Sequence, residues 1–576
     1  MAFTKKEKNF ILKNYQQLPL SKISEILNCS EKQISDFLIS QDISSVSFSK
    51  SKEKSKFSKV KEAVIGEYEF KSFTTVFLEN KNFFVILLLF IVLLYFRTFS
   101  AFLLSDEISM FQEYLSGSTN WWYLVYGSSI NHYLSLLIFG YTPWANRMIT
   151  LILHLLNLVL FYAIFRNFFS EKIIKITLVL LSVHSLIVEP ITWIAANFYV
   201  FQGLGFLVAM YFSVTYERKG KWYFLLPIYY FIASFTLGGA RANFAPLLLI
   251  AFDLFILKRS LKKELIVFSW LLLLIPIYPM LNKGQIESRV ASLTTGPYLE
   301  KFAQTLPFTT AKSFEITVFP IYLALFHEET LNPYYYIYAK LLTLVFFGLT
   351  AFLFFKKDKT YFGLIAVALA FCIYIFSPVQ VSWFVAERYM YLSVFIACLF
   401  WALLINYLNQ KIANLGNVLF VGFFFLFLFV TFFRLEVWQT PVRLWEENVK
   451  VSPDSYRVRN NLAEAYNRAG DYEKAVKEYK ESVRINPNFA EAYFNVSTAF
   501  LVQNKYSDAE PYLMKTIELN PSVVEAYLRL AIIKAFQSDF KNAYIYLNKA
   551  KELNASEEVI NKFTQEIKKY EAQQKN

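Results

Sequence analysis

Cysteine is almost missing from this 576-residue chain: only Cys29, Cys372 and Cys398 occur, one near the N-terminus and two inside apolar stretches. That scarcity excludes a disulfide framework as the source of stability. No cleavable signal peptide is visible either, since the first hydrophobic run begins at Phe83, too late for one, so none is expected. Long apolar runs are absent from residues 1–82 and 434–576, which read as soluble flanks. Between Phe83 and Phe433, by contrast, apolar runs follow one another with short polar breaks. Most are close to the roughly 20 residues a helix needs to cross a bilayer. The 61 Phe and 38 Tyr are explained by lipid-facing and interfacial packing, so no cofactor is read into them.

Eleven spans are expected, at 83–104, 147–168, 173–188, 197–216, 222–238, 241–257, 264–281, 336–355, 361–377, 388–407 and 415–433. The formal charge of +13 would point to nucleic acid in a soluble protein, but here many of the cations sit in short loops. Arg166/Lys172/Lys175, Arg218/Lys219/Lys221, Lys258/Arg259/Lys262/Lys263 and Lys356/Lys357/Lys359 all fall on one face. Retention of Lys and Arg in the cytosol then sets the N-terminus inside and the C-terminus outside, in an inner membrane with a periplasmic tail. Residues 105–146, 189–196, 282–335 and 378–387 become the main outer loops, and 314–326 is read as a re-entrant or interfacial segment. No inverted repeat is visible, and the charges gather at helix ends, which speaks against a transporter.

Pro453, Pro487 and Pro521 are spaced by 34 residues, as are Ala475, Ala509 and Ala543 and the aromatics Tyr472, Tyr506 and Phe540. This period is that of tetratricopeptide (TPR) repeats, helix pairs that stack into a solenoid with a concave face for a peptide or protein partner. Three units are expected, at 455–488, 489–522 and 523–556, preceded by a connecting half-repeat in 434–454 and closed by a capping helix in 557–576. Residues 1–45 resemble a small helix-turn-helix module around Asn28–Ser30, whose near-neutral charge argues against nucleic-acid binding. Residues 46–82 form a lysine- and serine-rich linker suited to anionic lipid head groups. The expected fold is therefore all-α: a polytopic bundle, a C-terminal solenoid and a small N-terminal module.

Charge at the outer ends of spans calls for a functional hypothesis. Asp106 and Glu107 follow the first span, Glu189 closes the third, Arg241 opens the sixth, and Glu387 with Arg388 opens the tenth. A carboxylate there can accept a proton from a hydroxyl, and guanidinium groups can hold a departing phosphate. Ser105-Asp-Glu107, Phe139-Gly-Tyr-Thr-Pro143 with Arg147, Leu153-His-Leu-Leu-Asn157, His184 to Trp193, Glu387-Arg-Tyr-Met-Tyr391 and Trp438 to Trp445 carry a family resemblance over residues 83–556. The chain is similar to the GT-C polyprenyl-phosphate-sugar-dependent glycosyltransferases, in particular the transmembrane and TPR repeat-containing O-mannosyltransferases. The resemblance implies an inverting transferase that moves a sugar from a polyprenyl phosphate to a hydroxyl of a protein or envelope glycan on the outer face. Asp106 would be its catalytic base with Glu107 beside it, Arg388 and Arg241 would hold the donor phosphate, and Glu189, His132 and Glu387 would line the donor or acceptor site. No cofactor is required and a divalent metal is optional. The chain departs from the family pattern at Ala195-Ala-Asn-Phe198, at Gly239-Ala-Arg-Ala242 and around His132. The alternative is a non-catalytic membrane-anchored TPR scaffold for envelope proteins.

Overall fold

A computed structural model describes residues 73–102, 142–216, 298–321, 333–355 and 385–575, with isolated positions between them. Two compact units divide the chain, Met1–Ala63 and Val64–Asn576, and everything below concerns the second. The helix-turn-helix-like module and most of the lysine-rich linker lie outside the described residues, as do the spans expected at 222–238, 241–257, 264–281 and 361–377.

All described elements are helices, and one isolated bridge, His327 to Val385, is the single extended pairing among the described residues. Short α1 (Phe73–Glu79) leads into α2 (Lys81–Tyr95), which continues as a 3₁₀ turn to Ser100. The bundle then runs through α3 (Pro143–Phe165), α4 (Glu171–Ser182), α5 (Val188–Thr192), α6 (Phe198–Tyr216), α7 (Tyr298–Val318), α8 (Pro333–Phe355), α9 (Tyr391–Lys411) and α10 (Leu415–Val437). Pro143 sits in the first turn of α3, where its missing N–H costs nothing. Among the described residues four helices are long and apolar enough to cross a membrane: Lys81–Ser100, Pro143–Phe165, Glu387–Lys411 and Leu415–Val437.

Two expectations need correcting. The third span is broken: Glu171–Ser182 and Ser185–Thr192 meet at 59°, and together they make a fifth candidate span. At the break the His184 ring accepts from the Leu186 N–H, and the Thr431 hydroxyl donates to the Val183 carbonyl over 2.6 Å. The helical ladder is thus replaced by side-chain partners, and Pro190 supplies no donor to restore it. The outer loop expected over 282–335 is not all loop, since it contains α7 and the start of α8. α7 carries its buried Thr309, Thr310, Ser313 and Thr317 toward the bundle. Its last carbonyl, Val318, accepts from the Trp401 indole at 3.2 Å, ten residues along α9. The chain turns at Phe319–Ile321 and comes back, so that the Leu325 carbonyl faces Arg388 at 3.4 Å.

α9 and α10 form a tight hairpin. Asn414 takes the left-handed conformation, φ 64°, and the amide of Asn409 pairs with Asn417 at 2.8 and 3.0 Å. Gly416 is dictated by contact, because a Cβ there would stand 2.0 Å from the Ile405 carbonyl oxygen.

Beyond the bundle α11 (Pro441–Val451) leads into three helix pairs: α12 (Tyr456–Arg468) with α13 (Tyr472–Ile485), α14 (Ala490–Val502) with α15 (Tyr506–Leu519), and α16 (Val524–Phe536) with α17 (Phe540–Glu552). α18 (Glu557–Lys575) packs on the last pair and buries Ile567. Ala475, Ala509 and Ala543 are wholly buried, where a larger side chain would separate the helices of a pair. Tyr479, Leu513 and Leu547 fill the equivalent core position in each pair. The turn inside each pair passes through one left-handed residue, Gly470, Asn504 or Ser538, again at intervals of 34. Ser455, Asp471 and Asp539 cap α12, α13 and α17 by accepting the N–H of Val458, Lys474 and Asn542.

Candidate functional site

α2 and α10 run side by side, Phe90 against Phe424 and Arg97 against Phe432, and the end of the bundle where both finish collects the buried charge. Arg388 donates to Glu189 at 2.7 Å, and Arg434 donates to Glu387 at 3.0 Å. All four side chains are buried, with Glu189 and Glu387 at 0% exposure. Neighbours in sequence, Glu387 and Arg388 thus pair not with each other but across the bundle, with α10 and α5 respectively. Arg388 also lies over the rings of Trp193 and Tyr389, 4.6 and 4.9 Å from their centroids. Such cation–π stacking keeps the guanidinium in one plane. Two acids and two arginines make the cluster neutral as a whole, which is the condition for burying charge at acceptable cost.

A third buried arginine does different work. Arg147, 1% exposed, gives Nε to the Thr192 carbonyl at 2.9 Å, Nη1 to Ala101 at 2.7 Å and Nη2 to Phe102 at 2.9 Å. It satisfies backbone acceptors left over at the end of α5 and just past the first span. The same end ties the bundle to the solenoid. Glu436 accepts from Arg97 at 2.5 Å and also from Arg443, and Gln439 donates to the Arg97 carbonyl. Trp438, 1% exposed, stacks on Phe102 with centroids 6.3 Å apart. In mid-bundle, the Tyr391 hydroxyl meets His154 Nδ1 at 2.8 Å and accepts from Asn157 at 2.9 Å. Gly203 lets α6 approach, since a Cβ there would lie 2.7 Å from the Tyr391 ring.

Of the residues singled out in the sequence, then, Glu189, Glu387 and Arg388 are brought together. Asp106, Glu107, His132 and Arg241 lie outside the described residues. Arg434 and Arg147 complete the geometry, although nothing in the sequence alone singles out either for a site role. Arg434 falls one residue beyond the expected last span, and its partner is 47 residues away. Arg147 stood in the family motif without a role. Among the described residues no group of His, Cys, Asp or Glu is arranged to hold a metal ion.

The solenoid offers a second surface. First helices of successive pairs touch side chain to side chain: Asn495 donates to Asn460 at 3.1 Å, and Arg529 lies over the Phe494 ring at 4.2 Å while donating to Thr498. Residues 463–503 match the TPR repeat. The repeat reading therefore stands on both sequence and helix pairing. No curated protein matches the chain. Among solved structures a crystal structure of MamA protein is 19% identical, with TM-score 0.19, covering 19% of this chain and 61% of that one. MamA 41-end from Desulfovibrio magneticus RS-1 is 17% identical, with TM-score 0.20, covering 23% of this chain and 86% of that one. The chain thus spans less than two thirds of the first of these, and likenesses of this size carry no conclusion about function.

On the TPR surface Glu491 keeps an exposed edge, but withdrawal of its carboxyl from water and the nearby Glu464 raise its pKa, with Arg457 opposing. Burial, and then its hydrogen bond to Glu446 at 2.6 Å, likewise raise the pKa of the Tyr466 hydroxyl. That bond fastens α11 to α12. The first helices thus present Glu491 beside aromatic and amide groups, with Glu464 nearby already paired with Arg468 at 2.6 Å.

Proposed function

We propose that this chain is a membrane-anchored TPR scaffold: the bundle carries the solenoid, and the first helices of its repeats take an extended segment of a protein partner. The observation that supports it best is the joint between bundle and solenoid. Only Trp438, Gln439 and Thr440 separate α10 from α11, and Arg97, Glu436 and Arg443 brace the step. Such an arrangement presents the array and does not merely tether it. Glu491, whose carboxyl is held partly away from water, favours a partner with a basic side chain that would stabilise its charged form. The test is site-specific photo-crosslinking in the full chain. Probes at Phe494 and Val502, on a first helix, should trap one protein in discrete adducts. Probes at Met514 and Ile545, exposed on second helices, should not. Equal labelling of both sets, or of neither, would refute a partner held on the first helices.

A second reading draws on Arg147. By gripping the carbonyls of Ala101 and Phe102 it fixes the chain four residues before Asp106, at the bundle end where Glu189, Glu387 and Arg388 gather. This placement suits an inverting sugar transfer from a polyprenyl phosphate, the activity that the family resemblance implies. Asp106 would take the acceptor hydroxyl proton while the hydroxyl oxygen bonds to the sugar and the lipid phosphate leaves with the bonding pair. Arg388 would exchange Glu189 for that phosphate, Arg241 would support it, and a protein or envelope glycan outside the cytosol would be the acceptor. Membranes bearing Asp106→Asn should lose transfer from labelled polyprenyl-phosphate sugars at unchanged expression. Retention of most of the rate would remove the enzyme reading and leave the scaffold.

A further inference from the structure

At the opposite end of the bundle, between α4 and the start of α10, lies an open surface crevice of about 430 Å³ lined by Glu171, Lys172, Lys175, Ile176, Val179 and Phe420. The lining is graded along α4. Lys172, Lys175, Ile176 and Val179 follow one helical face, so the charges stand at the mouth and the apolar side chains about one to two turns deeper. Phe420 forms the facing wall from α10. Lys175 is already engaged, pairing with Glu171 and lying 5.3 Å from the Phe83 ring centroid. Lys172 is exposed and has no carboxylate partner among the described residues. With Glu171 and Lys175 cancelling, the mouth keeps one uncompensated positive charge beside the first N–H groups of a twelve-residue helix.

A charged mouth above an apolar wall is the outline of an amphiphile. We infer that this crevice holds one anionic glycerophospholipid, its phosphodiester at Lys172 and an acyl chain along Ile176, Val179 and Phe420. A zwitterionic head group fits less well, since its ammonium would meet the same uncompensated lysine. A free phosphate would gain the charge but leave the wall uncovered. The inference rests only on the chain crossing a membrane and is independent of both readings of its function. Under the threading drawn from the basic loops, the lipid belongs to the cytosolic leaflet.

The experiment uses the full chain, purified and delipidated in detergent, with retained lipid counted by native mass spectrometry. Dioleoylphosphatidylglycerol should be retained as a single adduct, dioleoylphosphatidylcholine should not, and glycerol 1-phosphate should fail to displace the bound lipid. Lys172→Gln should weaken retention about fivefold, and Lys172→Arg should restore it. Phe420→Ala should weaken it through the wall alone, with an unchanged thermal midpoint showing that each variant is folded. Equal retention of the zwitterionic lipid would reduce the crevice to an apolar contact and overturn the proposal. So would displacement by glycerol 1-phosphate, which would make it a site for free anions, or a Lys172→Gln variant that binds like the wild type.

Discussion

Among single residues, Arg434 carries the sharpest consequence. It is 2% exposed and donates to Glu387, which is fully buried. Replacing it by leucine would strand a carboxylate in the bundle, a change of about 3–5 kcal/mol for a buried pair broken on one side. Arg434→Leu should therefore lower the thermal midpoint of the detergent-solubilised chain markedly. Glu387→Leu combined with Arg434→Leu should recover most of the loss, because neither charge is then left alone. A double variant as unstable as the single one would show that packing around Arg434, not its charge, sets the cost. None of this pairing was legible from the sequence. Glu189 and Arg388 are separated by 199 residues, and a bond across that distance leaves no local pattern. What could be read was the unusual presence of charge at span ends, which led to Glu189, Glu387 and Arg388 but attached phosphate-binding and site-lining roles to them. The structure shows them ion-paired, Arg388 with Glu189 and Glu387 with Arg434.

Helices and turns were more legible, for a physical reason. A repeat states its packing rule several times, so Ala475, Ala509 and Ala543 mark the close contact before any coordinates exist. Single-copy features have no such redundancy, and the break at Val183–His184 depends on Thr431 from a distant helix. The stretch 314–326, expected as re-entrant or interfacial, was marked by being apolar and too short, while the helix α7 leading into it was hidden by Lys312 and Glu315, which pair on one face at 2.8 Å. The repeat turns give a test at this scale. Gly470 takes φ 82° without strain, whereas Ser538 holds φ 66° with a Cβ. Ser538→Gly should stabilise the third pair by about 0.5–1 kcal/mol, the left-handed penalty less the extra entropy of an unfolded glycine. Hydrogen exchange of α16 and α17 amides would read it, and slower exchange is the expected result. Gly416→Ala should act in the opposite direction, opening the α9–α10 hairpin, because its Cβ would meet the Ile405 backbone carbonyl first, which cannot move aside as a side chain can. Cysteine crosslinking between Asn409 and Asn417 positions would fall if the hairpin opens.

For the whole molecule, side-chain pairs fix the two ends of the bundle. Arg166 meets Glu79 at 3.7 Å at one end, and Arg97 meets Glu436 at the other. The chain therefore enters α2 at the end opposite to the one where it leaves α10 for the solenoid. We expect the entry end in the cytosol, since Arg166, Lys172 and Lys175 lie there. A periplasm-dependent reporter fused after Asn576 should be active and a cytosol-dependent one silent; the reverse would invert the threading. The brace at Glu436 has one more implication. A domain on a flexible tether searches a volume set by its linker, and its capture rate falls as that volume grows. Here the three-residue step, with Trp438 wedged against Phe102, leaves almost no volume to search. On the scaffold reading proposed above, the solenoid would keep a set height and heading above the bilayer and meet partners as a fixed post meets a current: only those that pass at its level, in the right orientation, would be caught.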